Sequence, residues 1–145
     1  MKIAVSACLL GEPCRFDGAA KPCAQVIDLG KRHELVPVCP ECAGGLPTPR
    51  PASEIYAAAP ALRVVNMEGA DVTAAFLAGA QRTLELVHAE GCELAVLKAK
   101  SPSCGSGLVY DGTFTRTLVP GWGVAARLLA DDGIPVMDET QAKSI

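Results

Sequence analysis

Short apolar runs recur along the chain, separated by longer segments that mix apolar and polar positions. Residues 2–7, 34–38, 94–98 and 134–137 are rich in Val, Leu, Ile and Ala and have the length of buried strands. Pro37 has no amide donor, so the second of these strands fits a sheet only at its edge or at a strand end. The alternation of these runs with helical segments predicts a sheet whose strands are connected by helices.

Three segments between the strands have the features of helices. The clearest follows Asp71, a good N-cap residue, and ends at Gly91, a good C-cap residue. Its apolar side chains recur at helical spacing, at Val72, Phe76, Ala80, Leu84 and Val87. Residues 22–32 and 122–131 are also predicted to be helical, and Gly133 is expected to stop the second of these.

Other segments are predicted to lie outside the main sheet. Residues 47–60 are dense in proline and are expected to wrap the surface without regular structure. Residues 62–66 carry a weak strand pattern, which is either a further strand or part of a hairpin. Residues 108–117 place Asp111 and Gly112 between β-prone flanks, which is typical of a β-hairpin.

Together these elements predict the fold class. We expect a three-layer, Rossmann-like α/β sandwich with a mostly parallel sheet and long cysteine-bearing loops at the C-terminal edge of its strands. The chain has 145 residues and half of them are apolar, enough to bury one core. We therefore expect residues 1–145 to form a single domain.

The net charge of the chain and its N-terminal residues indicate which partners and which cellular location to expect. The net charge is −3, and no run of Lys or Arg offers a field for nucleic acid, so nucleic acid is an unlikely partner. The opening MKIAVSACLLGEPC is too short and too polar for a signal peptide or a membrane span. A cytoplasmic protein is expected, and its oligomeric state is left open. Seven cysteines in a reducing compartment favour metal binding or catalysis over disulfides.

Three cysteines follow predicted strands in loops rich in Gly and Pro. They are Cys8, Cys39 and Cys104. Because the carboxyl ends of parallel strands share one edge of a sheet, thiols in these loops can converge from distant parts of the chain. Three thiolates without an obvious fourth suit an iron–sulfur cluster with one open iron. Buried cysteines that pack as small apolar side chains are an equally good interpretation of the loops alone.

Two other interpretations use the CxxC motif formed by Cys39 and Cys42. A zinc site would take these two thiols with Cys8 and either Cys14 or Cys104, but it lacks the second close pair usual in zinc sites. A redox CxxC normally opens a helix, and the glycines and prolines that follow here argue against a helix. Both interpretations rank below the cluster.

Polar residues beside these cysteines are candidates for chemistry. Glu41 is placed to act as a general acid or base on a bound substrate. Ser101 and Ser103 precede Cys104 in a turn that either binds a polar heterocycle or is an ordinary Ser-Pro turn.

The remaining polar and thiol side chains are assigned lesser roles. Arg15, Asp17 and Arg50 are expected to pin loops together by ion pairing. His33 and His88 are interpreted as solvated. The spare thiols, of which Cys14 and Cys42 are near enough in sequence to replace a ligand, are Cys14, Cys23, Cys42 and Cys92.

The three loops also share a family signature. The segments VSACLLG with CRFDG, VCPECAGGLPTPRP and KAKSPSCG resemble the iron–sulfur-dependent 2-thiouracil desulfurases over nearly the whole chain. The resemblance implies a [4Fe-4S] cluster held by Cys8, Cys39 and Cys104, with a fourth iron free to take the sulfur of a thiolated pyrimidine. It also implies that Glu41 and Ser101 assist. Cys42, where an aliphatic residue is common, departs from the pattern.

The resemblance predicts an enzyme that converts thiouracil to uracil and releases hydrosulfide without net electron transfer. A small thiolated pyrimidine would be its substrate. One alternative is the same chemistry on thiolated nucleosides or on thiouridine in tRNA, although the acidic composition disfavours RNA. The other is a non-catalytic protein that binds an iron–sulfur cluster or zinc.

Overall fold

The structure, a computed structural model, describes residues 1–58 and 60–145. Helices connect the strands of the main sheet, and two hairpins interrupt the alternation. The strands are β1 (Lys2–Ser6), β2 (Glu34–Val38), β3 (Ser53–Ala57), β4 (Arg63–Asn66), β5 (Leu94–Leu97), β6 (Ser106–Tyr110), β7 (Leu118–Trp122) and β8 (Val136–Asp138). The helices are α1 (Ala24–Asp28), α2 (Pro40–Ala43), α3 (Thr73–Glu90) and α4 (Val124–Asp131).

The main sheet has four parallel strands in the order β2-β1-β5-β8. In the register, Val5 of the inner strand β1 pairs with Pro37 on one side and with Val96 on the other. Pro37 thus lies in the edge strand β2, where its missing amide breaks no inner ladder. The predicted parallel sheet and the predicted edge position of Pro37 are both confirmed.

Helices cover both faces of this sheet. On one face, Ile3 and Val5 pack with Val26 of α1 and with Leu29 of the 3-10 turn after it. On the other face, the strand residues Ala4, Ala95 and Leu97 pack against Val87 of α3 and against Ala126 and Leu129 of α4. Because side chains of a strand point alternately to its two faces, each strand contributes to both cores. The three-layer α/β sandwich is confirmed.

The proline-rich segment is more regular than expected. Residues 53–57 form β3, which pairs antiparallel with β4, so the prediction of irregular structure throughout 47–60 is wrong there. The prolines at 47, 49 and 51 precede β3 and leave its amides free to pair. Ala59, part of the predicted segment, lies outside the described residues. The alternative that residues 62–66 belong to a hairpin is confirmed.

Several element ends differ from their predicted positions. The second hairpin, β6 with β7, is confirmed, but its strands extend to Ser106 and Trp122. Trp122 therefore belongs to β7, and α4 begins two residues later, after Gly123 donates its amide to the carbonyl of Gly105. The predicted helix 22–32 is a short α1 followed by a 3-10 turn. The last strand is Val136–Asp138 instead of 134–137.

The long helix α3 has the expected boundaries with one change at its start. Val72 occupies the N-cap position, and Asp71 acts from one residue earlier, where its carboxylate accepts the amide of Thr73 at 2.9 Å. At the other end, Gly91 adopts the left-handed conformation of a C-cap, as predicted. Within residues 1–58 and 60–145, no helix has both the length and the apolar character needed to cross a bilayer.

A glycine contact sets the position of α2 on α3. A Cβ atom added to Gly79 of α3 would overlap the carbonyl oxygen of Pro40 in α2. A Cβ atom added to Gly44 would overlap the carbonyl oxygen of Ala75 in the same way. The guanidinium of Arg82 caps the end of α2 at the carbonyl of Ala43. This close approach of two backbones fixes the turn that follows β2.

We predict that Gly79→Ala destabilises the protein by roughly 1–3 kcal/mol, because the added methyl pushes α2 away from α3. In an exposed helix the same change stabilises by about 1 kcal/mol, so the sign distinguishes the two situations. Urea unfolding of both proteins followed by circular dichroism measures it. A variant as stable as the parent or more stable contradicts the contact.

Candidate metal centre

Three cysteines lie at the carboxyl ends of three neighbouring strands. Cys39 directly follows β2, Cys8 lies in a 3-10 turn directly after β1, and Cys104 lies in the loop after β5. Because β2, β1 and β5 are adjacent and parallel, all three positions share one edge of the sheet. The chain leaves β1 first for β2 and later returns to β5 on its other side, and such a reversal opens a crevice where α/β proteins bind ligands.

Burial governs the acid–base state of these thiols. The pKa of Cys8 is raised to about 12, chiefly by burial and also by the nearby Cys104 and Cys14. Burial also raises the pKa of Cys104, although hydrogen bonds to Ser6 and Ser103 oppose the increase. The pKa of Cys39 is raised as well, chiefly by burial. Cationic metal ions are what convert such buried thiols into thiolates.

A second group of thiols surrounds Cys39. The Sγ atoms of Cys39 and Cys42 each lie 3.8 Å from the carbonyl oxygen of Cys14. The Cys14 thiol is itself close to Cys39, and its pKa is raised mainly by burial. Cys14 is also one of the groups that raise the pKa of Cys8. All seven cysteines of the chain are free thiols.

Arg50 ties together the loops around these thiols. Its guanidinium is 4% exposed and forms an ion pair with Glu41 at 3.0 Å. It also donates to the carbonyl of Cys14 at 3.0 Å, to that of Pro47 at 3.1 Å and to the hydroxyl of Thr48 at 3.0 Å. Burial opposes its charge, but the carboxylate of Glu41 outweighs this effect, so the pKa of Arg50 is raised. One side chain thus joins three segments of loop.

The second oxygen of Glu41 reaches the Cys104 loop. The hydroxyl of Ser103 donates to Glu41 Oε2 at 2.9 Å and lies 3.6 Å from the sulfur of Cys104. Ser101 Oγ accepts the amides of Ser103 and Cys104, each at 3.1 Å, and lies 3.0 Å from Ser103 Oγ. A continuous polar chain therefore runs from Arg50 through Glu41 and Ser103 to Ser101.

A further polar group stabilises the start of the Cys104 loop. The hydroxyl of Ser6 accepts the amide of Lys98 at 2.8 Å and also contacts the Cys104 thiol. Glu139 accepts the amide of Ala99 at 2.7 Å and pairs with the ammonium of Lys98 at 3.0 Å. No sequence pattern pointed to Ser6, Lys98 or Glu139 as part of the site. Ser6 lies within the predicted strand 2–7, and Glu139 is distant in sequence from the Cys104 loop.

Known proteins resemble this chain over nearly its whole length. The model of the 2-thiouracil desulfurase family matches residues 3–141. The chain belongs to this family. A Bacillus subtilis (strain 168) protein called uncharacterized protein YbbK is 36% identical over 149 residues, which cover 99% of each chain. A solved structure of the [4Fe-4S]-dependent thiouracil desulfidase TudS is 45% identical, with a TM-score of 0.90 over 99% of this chain and 93% of that chain.

The thiol chemistry of the donor set suits an iron–sulfur cluster in this 2-thiouracil desulfurase. In the part of the chain that the structure describes, no three His, Cys, Asp or Glu side chains group closely enough to hold one metal ion. A four-iron cluster is larger than an ion, so its thiolate ligands stand farther apart. Sulfur ligands from three separate loops, with a polar network on one side, suit such a group. The ligand roles of Cys8, Cys39 and Cys104 stay a prediction.

The structure corrects one argument about the CxxC motif. We expected no helix after Cys39, but residues Pro40–Ala43 form the short helix α2, with Cys39 as its N-cap. Pro40 at the first helical position favours this start, despite the glycines that follow. The raised pKa of Cys39 is nevertheless the opposite of what an activated redox thiol shows.

Other residues singled out in the sequence lie away from this network or act locally. Arg15 pairs with Asp17 at 3.7 Å within one loop, whereas Arg50 pairs with Glu41 and not with either of them. His88 contacts Asp132 on the surface at 2.7 Å. Three others occupy separate places, with Cys23 at the start of α1, Cys92 just before β5, and His33 just before β2 with its Nδ1 atom buried.

A cavity of about 540 Å³ lies elsewhere, between the two hairpins and helices α3 and α4. Tyr56, Leu77 and Trp122 are among its lining residues, and all three are at least 39% exposed. The lining contains no cysteine, and it contains neither Glu41 nor the serines of the Cys104 loop. The cavity is therefore separate from the cysteine edge.

We predict that Arg50→Met lowers the free energy of unfolding by about 3–5 kcal/mol, because the largely buried carboxylate of Glu41 loses its partner. Arg50→Lys is expected to recover part of the loss, since an ammonium keeps the charge but not the fork of donors. Chemical denaturation of the cluster-free protein measures both. Arg63→Met, which removes an exposed pair with Asp71, is the control and should change little. If Arg50→Met and Arg63→Met lower the free energy of unfolding equally, the stabilising role of the Arg50–Glu41 ion pair is refuted.

Proposed function

We propose that this protein is a [4Fe-4S]-dependent desulfurase that converts thiouracil and water to uracil and hydrosulfide without net electron transfer. The observation that carries the proposal is the placement of Cys8, Cys39 and Cys104 at the ends of three adjacent parallel strands. Family membership and the likeness to TudS, a [4Fe-4S]-dependent thiouracil desulfidase, support it.

The three thiols are proposed as the ligands of the cluster. Three protein ligands on a four-iron cluster leave one iron open, and an open iron supplies Lewis acidity to a bound sulfur. Two of the ligands, Cys8 and Cys104, are only 7% and 5% exposed, so the fold itself keeps bulk water from them. Cys39, the third proposed ligand, is half-buried.

Glu41 is proposed as the base for the attacking water. In the overall reaction the oxygen of one water replaces sulfur on the ring carbon, and its two protons pass to hydrosulfide and to a base. Both oxygens of Glu41 are already engaged, one by Arg50 and one by Ser103. A proton therefore reaches the carboxylate most directly through the Ser103 hydroxyl, which can donate one proton and accept another.

Ser101 is proposed to contact the substrate ring, with Ser103 as the link to Glu41. The oxygen of Ser101 accepts two backbone amides, and its single proton is donated to Ser103 Oγ at 3.0 Å, so it donates to a bound ring by turning from Ser103 to the ring. Ser101 is half-buried, whereas Ser103 is 3% exposed. The more exposed hydroxyl thus faces incoming ligand, and the buried one carries the proton inward.

A small thiolated pyrimidine is the proposed substrate class, and the cytoplasm the proposed location. The net charge of −3 supplies no general attraction for a polyanion, which argues against thiouridine in tRNA as the main substrate. The free base, the nucleoside and tRNA can be compared directly at low salt. Faster turnover of tRNA than of the free base would reverse the assignment.

We predict that serine at Cys8, Cys39 or Cys104 abolishes thiouracil turnover and removes the visible absorbance of the reconstituted cluster. The measurement combines anaerobic reconstitution, iron and sulfide analysis, and the loss of thione absorbance with hydrosulfide release. Cys23→Ser is the matched control, because serine is well suited to its N-cap position on α1. Full turnover by any of the three ligand variants would exclude that cysteine as a ligand.

We predict that Glu41→Gln lowers kcat by roughly 10²–10⁴, the usual contribution of general acid–base catalysis, while the iron content is unchanged. Running the reaction in ¹⁸O-labelled water should place one label in uracil, as hydrolysis requires. Glu68→Gln, an exposed carboxylate far along the chain, serves as control. If Glu41→Gln keeps parental kcat, another group accepts the proton.

A further inference from the structure

One sequence motif is not used by the proposed reaction. The CxxC motif places Cys42 three residues after a proposed ligand, Cys39. Cys39 has an extended conformation at the N-cap of α2, and Cys42 lies within that helix. An N-cap cysteine followed by a helical cysteine at this spacing is the arrangement in which thiol–disulfide exchange proteins form their disulfide. The desulfurase chemistry gives Cys42 no task.

The surroundings of the two thiols favour their reaction with each other. Both sulfurs lie 3.8 Å from the same carbonyl oxygen, that of Cys14. The Cys42 sulfur is also 3.5 Å from the Thr48 hydroxyl and 3.9 Å from the Arg50 guanidinium, which hold it beside this oxygen. The carbonyl oxygen thus serves as a common contact that keeps the two thiols on one side of α2.

Accessibility separates this pair from the other two proposed ligands. Cys39 and Cys42 are half-buried, whereas Cys8 and Cys104 are buried. An oxidant dissolved in water therefore reaches Cys39 and Cys42 more easily than Cys8 or Cys104 when the site is empty. Cys39 is the ligand most exposed to irreversible oxidation, because exposure is one of the factors that set susceptibility.

We propose that Cys39 and Cys42 form a reversible disulfide in the cluster-free protein by exchange with small disulfides. Cys42, whose sulfur lies 3.9 Å from the Arg50 guanidinium, attacks the small disulfide as the thiolate and releases one small thiol, leaving a mixed disulfide at Cys42. The second thiolate then displaces the second small thiol and closes the protein disulfide. Two protein thiols are oxidised and one small disulfide is reduced to two thiols, so the electrons balance.

This disulfide would protect a cluster ligand and make cluster loading depend on reduction. While Cys39 is bound to Cys42 it cannot bind iron, so the empty site stays closed until a thiol reductant opens it. This consequence rests on the proposed ligand role of Cys39. The formation of the disulfide itself does not depend on the substrate or on activity.

The test uses full-length protein prepared without iron, reduced under argon and then exposed to glutathione disulfide. Free thiols are alkylated in acid-quenched samples, and the bound pairs are identified by peptide mass spectrometry. We expect the loss of two hydrogens from the peptide that contains Cys39 and Cys42, with the other five cysteines alkylated. Iron uptake should be lost and should return after dithiothreitol.

Variants make the result decisive. Cys39→Ser should leave a stable mixed disulfide with glutathione at Cys42, whereas Cys23→Ser and Cys14→Ser should still form the Cys39–Cys42 pair. The proposal would be overturned if Cys39 of the parent protein is still alkylated after exposure to glutathione disulfide. Pairing of Cys39 with any cysteine other than Cys42 would also overturn it. Failure of thiouracil turnover with the pair intact would count against the proposed function alone.

Discussion

The parallel pairing of β1 with both β2 and β5 is the constraint on which the site depends. Register pairs Ser6 with Val38 on one side and Val5 with Val96 on the other, so the three strands end at nearly the same level. The chain can then place three thiols at one edge, although nearly a hundred residues separate the first from the last. Helices on both faces bury β1 and β5, and burial at this edge raises the pKa of Cys8 and Cys104.

One buried cation, the guanidinium of Arg50, holds together the loops at the cysteine-bearing edge of the sheet. Arg50 contacts Glu41 and carbonyl or hydroxyl oxygens in two other loop segments. A buried charge is expensive unless every donor finds a partner, and here the partners come from the segments that must be aligned. Glu41 extends the connection to Ser103 and so to the Cys104 loop. The polar network that is proposed to move protons is therefore also the network that orders the loops.

Local signals predicted the elements well and their ends less well. Helix α3 was evident from its apolar spacing and from Gly91, because those features act within a few residues. Strand β3 was missed because its proline-rich flank suggested irregular structure, while its pairing with β4 depends on contacts across a turn. The short helix α2 was missed for a related reason. It packs backbone to backbone on Gly79 of α3, a contact that no local pattern reveals.

The sequence by itself determined the α/β class, the edge position of Pro37, the family and the cysteines that follow the strands, since each depends on residue type and short-range spacing. Only the tertiary structure decided which side chains meet. It joined Arg50 to Glu41 where ion pairing with Asp17 had been expected, and it brought Ser6 and Glu139 to the Cys104 loop. Such contacts join segments distant in sequence, and they exist only once the packing of the sheet and helices has fixed those segments in space.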